Sequence, residues 1–230
     1  AADAKGKPIY LELSSVNPIV VLPGALAERG AELAEEFTGS CLMGTGQFCT
    51  NPGLVILIEG ESTTAFIEAV TEGFQQAPVG TLLSSSVQSS LQNNLSVLVE
   101  AGAELLAGNT SVEEDRCCFA NTLLKITGDQ FVGAPETMQT EAFGNSSLLM
   151  VANSTDQVCE AIDHLEGNLT GCIYSHTDGE DDQDYDRIAP RLRQRVGRLL
   201  NDKMPTGVAV SSAMNHGGPF PATGHPGFTA

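Results

Sequence analysis

Short apolar runs alternate with stretches of helical periodicity along nearly the whole chain, and this alternation restricts the fold more than any other feature. PIVVLP, from Pro18 to Pro23, is closed by Pro and Gly24, and LVILI spans Leu54 to Ile58. Both are short, apolar and rich in branched residues, so they read as buried strands. Between them, Leu26, Leu33, Phe37 and Leu42 recur near helical spacing and predict a helix over Ala25–Met43. Further helices are expected over Thr63–Gln75, over Ser86–Ala101 with Leu91, Leu95 and Leu98 on one face, and over Thr155–Leu165 behind a Ser154 or Thr155 cap. Strands are expected over Ala103–Ala107, Leu123–Ile126, Leu148–Ala152, Gly171–Ser175 and Gly207–Val210. Glu180–Leu200 reads as one long helix. Its start is acidic and its end carries Arg191, Arg193, Arg195 and Arg198, an order that complements the helix dipole. Strands and helices in alternation indicate an α/β fold, a three-layer domain with a mostly parallel sheet. No internal repeat or linker divides residues 1–230, which are therefore read as a single domain.

Composition narrows the partners. A net charge of −18 repels phosphate backbones and anionic headgroups, so neither nucleic acid nor a membrane surface is an expected partner. No apolar run reaches bilayer-spanning length, and the opening AADAKGKP lacks the apolar stretch of a secretory signal. The expected location is cytoplasmic. The absence of an initial Met suggests a processed or trimmed piece of something longer. The six cysteines are irregularly spaced and form no CxxC pair, so they are expected to be reduced thiols. No metal site is expected. The acidic run Asp178–Asp186 lacks the spacing of a calcium loop and reads as a solvated helix start, and His164, His176, His216 and His225 are scattered.

One cysteine stands apart. Cys49 lies in GTGQFCTNPG, residues 44–53, after a helix and just before a strand. Two glycines and Pro52 make this a special turn, able to expose a side chain in a cleft. A thiolate there is a competent nucleophile, and glycines let backbone N–H groups approach a developing oxyanion. A buried structural cysteine is the commoner fate of a free thiol, so position alone leaves both readings open.

The surrounding string Gly46-Gln47-Phe48-Cys49-Thr50-Asn51-Pro52-Gly53 resembles the active-site cysteine motif of the aldehyde dehydrogenase superfamily. Upstream, Leu11-Glu12-Leu13-Ser14-Ser15-Val16-Asn17-Pro18 resembles that family's glutamate motif, with Ser-Ser where Gly-Gly is usual. Glu141-Ala142-Phe143-Gly144 resembles the cofactor-side motif, with Asn145 where Pro is usual. Met214-Asn215-His216-Gly217-Gly218-Pro219-Phe220-Pro221-Ala222-Thr223 resembles a late loop near the substrate end. The four occur in the family's order and span nearly the whole chain. The resemblance is nearest to the branch that oxidises 2-oxoglutarate semialdehyde and fatty aldehydes with NADP.

That resemblance implies a catalytic-domain fold and a mechanism. Cys49 would attack the aldehyde, its own N–H would help hold the thiohemiacetal oxyanion, and Glu12 would activate water to release the acid from a thioester. Glu141 would hold the nicotinamide ribose, with Phe143 beside it. Family members are much longer, and their dinucleotide-binding domain lies mostly before the glutamate motif. Nothing here resembles it, and no GxGxxG follows a strand. Residues 1–230 are therefore expected to be the catalytic domain with the dinucleotide-binding domain missing. NADP (or NAD) would be bound mainly by that missing domain. The substrate would be a small-molecule aldehyde, and the full-length form a homo-oligomer. The fragment alone is expected to be inactive in hydride transfer. Two rivals stay open: a cofactor-independent thiol esterase using Cys49 and Glu12, and a non-catalytic fragment that needs its partner domain.

Overall fold

The computed structural model describes residues 5–7, 13–112, 116–207 and 216–219. The elements in chain order are β1 (Ile19–Val21), α1 (Pro23–Leu42), β2 (Leu54–Ile58), α2 (Glu61–Gln76), α3 (Ser85–Glu100), β3 (Glu104–Ala107) and β4 (Thr122–Thr127). These are followed by α4 (Gly128–Gly133), α5 (Pro135–Met138), β5 (Ser146–Ala152), α6 (Thr155–Asp163), β6 (Asn168–Tyr174), α7 (Asp182–Leu192) and β7 (Val196–Asn201). Among the described residues, seven strands form one sheet in the order β3-β4-β5-β2-β1-β6-β7. Every pairing is parallel except β3 with β4.

The central strands are apolar on both faces because helices cover both. Ile19 and Val21 of β1 and Val55 and Leu57 of β2 join Leu33 and Phe37 of α1 and Phe66, Val70 and Phe74 of α2. Val20, Leu54, Ile56, Leu124, Leu148 and Met150 face the other way, onto α3, α6 and α7. This continuous apolar character is the signature of a parallel sheet buried between two helical layers. It confirms the three-layer α/β fold.

The expected long helix over Glu180–Leu200 is two elements. The helix ends at Leu192, with Pro190 already in its last turn, and the chain then becomes β7. Val196 pairs with Asn168 and Arg198 with Thr170 along β6. The helical reading rested on arginines complementing a dipole, a screened surface effect of about 0.3–1 kcal/mol. Pairing along β6, with Val196 buried and Leu199 and Leu200 packed on opposite faces of the sheet, outweighs it. The strand expected over Gly207–Val210 falls, beyond Gly207, outside the described residues.

Ligands of open α/β sheets usually bind at the carboxyl ends of the strands, where successive connections leave in opposite directions. Here that point lies between β1 and β6. The connection from β1 passes through α1 on one face, and that from β6 passes through α7 on the other. The crevice is filled by the protein itself. The Asp181 carboxylate accepts the N–H groups of Gly24 (2.8 Å), Ala25 (2.9 Å) and His176 (2.8 Å). A Cβ on Gly24 would stand 2.7 Å from both carboxylate oxygens, so the fit requires glycine. The expectation that the acidic run is merely solvated is therefore wrong at Asp181, which is buried as the N-terminal cap of α1. Among the described residues, no helix is long and apolar enough to cross a membrane.

Asp181→Ala is expected to lower the unfolding free energy in urea by about 2 kcal/mol, because three backbone donors lose their acceptor. A loss below about 0.5 kcal/mol, the scale of an ordinary surface substitution, would show that water fills the crevice equally well.

Candidate active site

The site is assembled at the opposite, amino end of the sheet, from the turns that lead into β1, β2, β5 and β6. Both Asn17-Pro18 and Asn51-Pro52 precede a strand. The Pro restricts the Asn before it to non-helical backbone and ends the preceding segment. Asn17 goes further, with φ of 45°, a left-handed conformation that Asn tolerates. Its buried amide donates to the carbonyls of Cys49 (3.0 Å) and Asn51 (2.9 Å). Its Oδ1 accepts from the Ser15 hydroxyl (2.8 Å) and the Thr170 hydroxyl (3.1 Å). Asn168, at the start of β6, accepts the N–H groups of Val16 (2.8 Å) and Asn17 (3.1 Å). One buried polar network thus fixes three chain segments against each other.

The Cys49 turn has its own conformational demands. Gly44, Thr45 and Gly46 all have positive φ, at 56°, 61° and 65°. Gly46 also touches the segment leading into β5, where an added Cβ would lie 2.0 Å from the Gly144 carbonyl oxygen. No other residue type fits there. Asn51 Nδ2 donates to the same Gly144 oxygen (3.3 Å). Gln47 ties the turn to residues 81–83, donating to the Thr81 carbonyl and accepting from Leu83 N–H (2.7 Å).

Cys49 emerges from this turn partly exposed, with its Sγ 3.3 Å from His216 Nε2. The loop carrying His216 rests on the amino ends of β6 and β7. Its Gly217 carbonyl oxygen would be 1.7 Å from a Cβ on Gly197, and Pro219 lies against Gly167. Arg198 of β7 is within electrostatic reach of Cys49, and burial lowers its pKa. Two other thiols are sealed in the interior. Burial pushes Cys41 and Cys172 up to about 12, so both stay protonated at neutral pH.

Of the residues singled out from sequence, Cys49 occupies the expected exposed turn. Glu141 and Phe143 are partly exposed on the segment that Gly144 joins to that turn, so these two motifs do meet. Asn94 holds the Glu141 carbonyl (2.8 Å). Asn145, which stands where Pro is usual, uses its amide to bind the Phe119 carbonyl and Asn121 Oδ1, each at 2.8 Å. Glu12 lies outside the described residues, although Ser15–Asn17 just after it are firmly latched. Sequence reasoning missed His216 as a partner of Cys49, Arg198 as a neighbour, and Asn17 as the pin. The repeated Asn-Pro before apolar runs was an available signal for Asn17. Nothing in spacing links His216 to a cysteine 167 residues earlier.

Residues 1–218 match the model of the aldehyde dehydrogenase family. The chain belongs to the aldehyde dehydrogenase family. It is 36% identical over 223 residues to alpha-ketoglutaric semialdehyde dehydrogenase 2 of Azospirillum brasilense, covering 97% of this chain and 42% of that relative. It is 33% identical over 217 residues to alpha-ketoglutaric semialdehyde dehydrogenase of Acinetobacter baylyi, covering 94% and 41%. An NAD-dependent aldehyde dehydrogenase from Sinorhizobium meliloti shares the fold with a TM-score of 0.73 at 19% identity, over 94% of this chain and 42% of that one. The chain thus spans about two fifths of the length of the relatives it matches. Its sheet is the aldehyde dehydrogenase catalytic-domain fold.

Two outcomes follow from this geometry. Under native conditions at neutral pH, iodoacetamide is expected to alkylate Cys49 well before Cys41 and Cys172, as read by peptide mass spectrometry. Asn17→Ala is expected to cost about 3 kcal/mol in urea unfolding, since it strands several buried groups at once; a cost under about 1 kcal/mol would show that water replaces the amide.

Proposed function

We propose that this chain carries the acyl-transfer chemistry of an NAD(P)-dependent aldehyde dehydrogenase acting through Cys49. The observation that carries the reading is the Cys49–His216 contact at 3.3 Å on a half-exposed, glycine-built turn. An imidazole at that distance can take the thiol proton and leave a reactive thiolate. The thiolate adds to an aldehyde carbon to give a thiohemiacetal, whose oxyanion is met by the Cys49 N–H. Glu12, the carboxylate of the glutamate motif, then activates water to release the acid from the thioester.

The residues present fit one end of a nicotinamide dinucleotide. Glu141 offers a carboxylate to sugar hydroxyls, and Phe143 offers a ring face, both partly exposed beside the Cys49 turn. The bound cofactor, NADP or NAD, supplies the hydride acceptor that the oxidation requires. The chain has no Gly-rich turn opening a helix to cradle phosphates, so a dinucleotide-binding domain beyond residues 1–230 would hold the rest. Exposed Phe48 and Leu83 beside the turn favour that arrangement, as apolar surface awaiting cover. The relatives' names suggest 2-oxoglutarate semialdehyde as the substrate, with a fatty aldehyde as the alternative. The whole protein would be a cytoplasmic homo-oligomer.

The same Cys–His contact favours a second reading, a thiol esterase that needs no cofactor. The test uses the full-length protein that contains this chain. Cys49→Ala should lower aldehyde-dependent reduction of NADP more than about 10³-fold, and His216→Ala about 10²-fold. Undiminished turnover in Cys49→Ala sinks the dehydrogenase reading. If instead ester hydrolysis is lost in Cys49→Ala while the parent protein reduces no cofactor, the esterase reading stands.

A further inference from the structure

Cations are scarce in this chain, with 11 Lys and Arg against 29 Asp and Glu. Among the described residues, Arg29, Lys125, Arg187 and Arg191 each meet a carboxylate. Arg193 and Lys203 are exposed to water, and Arg195 donates to the Asp163 carbonyl. Arg198 differs from all of these in its surroundings. It is partly buried, its Nε is wholly buried without a hydrogen-bond partner, and it meets no carboxylate among the described residues. A buried donor on a charged group is costly to leave unsatisfied, and a nearby anion would offset that cost.

Its position places it close to the candidate nucleophile. Arg198 lies on β7 opposite Thr170, whose hydroxyl contacts Asn17, the residue that also holds the Cys49 carbonyl. It follows Gly197, on which the carbonyl next to His216 rests. Cys49 is the charged neighbour it senses. A thiolate can accept at most part of what a guanidinium offers, because the planar fork presents five N–H donors suited to a carboxylate.

We propose that Arg198 is the specificity-determining residue that binds the carboxylate of a substrate bearing an aldehyde at one end and a carboxylate at the other. The inference rests on Cys49 being the nucleophile and deepens that reading. It favours an oxo-acid over a fatty aldehyde, whose apolar tail would leave the guanidinium unpaired.

The test compares 5-oxopentanoate with pentanal, two aldehydes of equal length that differ in the terminal carboxylate, using the full-length protein. The parent should prefer 5-oxopentanoate in kcat/KM, and Arg198→Gln should reduce that preference by about 30-fold, mainly through KM. Arg198→Lys, which keeps the charge without the fork, should fall between. A readout independent of cofactor is alkylation of Cys49 by iodoacetamide. Glutarate should slow it in the parent and fail to do so in Arg198→Gln. The proposal is overturned if the preference stays within about threefold of the parent, or if glutarate protects both proteins equally. It is equally overturned if both substrates fall by one common factor while alkylation without glutarate slows to match, because Arg198 would then serve the sulfur. Retained activity in Cys49→Ala would instead remove the underlying reading, so the two failures are distinguishable.

Discussion

The side-chain amide of Asn17 is the interaction on which the rest of the candidate site depends. It sits at 1% exposure in a left-handed backbone, with donors and acceptor all engaged. A half-satisfied buried network of this kind is worse than none, since each orphaned group carries the full cost of desolvation. Completion is therefore enforced by stability, and function inherits the geometry. The carbonyls of Cys49 and Asn51 are held because leaving them unpaired would be costly. The Cys49 thiol on the same turn is presented as a consequence.

The same logic explains why the site is at the amino end of the sheet. A parallel sheet collects helix N-termini at its carboxyl end, and this favours anion binding there. Asp181 occupies the main position of that kind, satisfying the first N–H groups of α1 from within the chain. With that crevice filled, the amino-end turns are the remaining place where several segments converge. Helix C-termini gather at this end and carry partial negative charge, so positive charge has to come from side chains. Arg198, within electrostatic reach of Cys49, meets that need.

Much of the fold was legible because it is written in local periodicity. LVILI is a strand at the residues where its apolar run lies, and Leu91, Leu95 and Leu98 mark the buried face of α3. The failures occur where tertiary contacts override local preference. Arg191 to Arg198 looks helical by charge order, yet β6 offers Val196, Leu199 and Leu200 a paired and buried alternative. The site divides in the same way. Cys49 is announced by the glycines around it, which only a constrained turn requires. His216 is 167 residues away and becomes a partner only when Gly197 lets its loop descend onto the sheet. Such a contact has no periodicity to read.

Net charge and local charge also make different statements. The value of −18 argues against extended polyanions as partners, because many phosphates would face many carboxylates at once. It says little about a small anion. Beyond about 8–10 Å physiological salt screens the distant carboxylates, and within that radius the cations near the sulfur set the potential. A guanidinium with a buried, unpartnered Nε is held in surroundings where Coulomb attraction is stronger than in water. An acidic surface and an anion-selective site are thus compatible in one molecule.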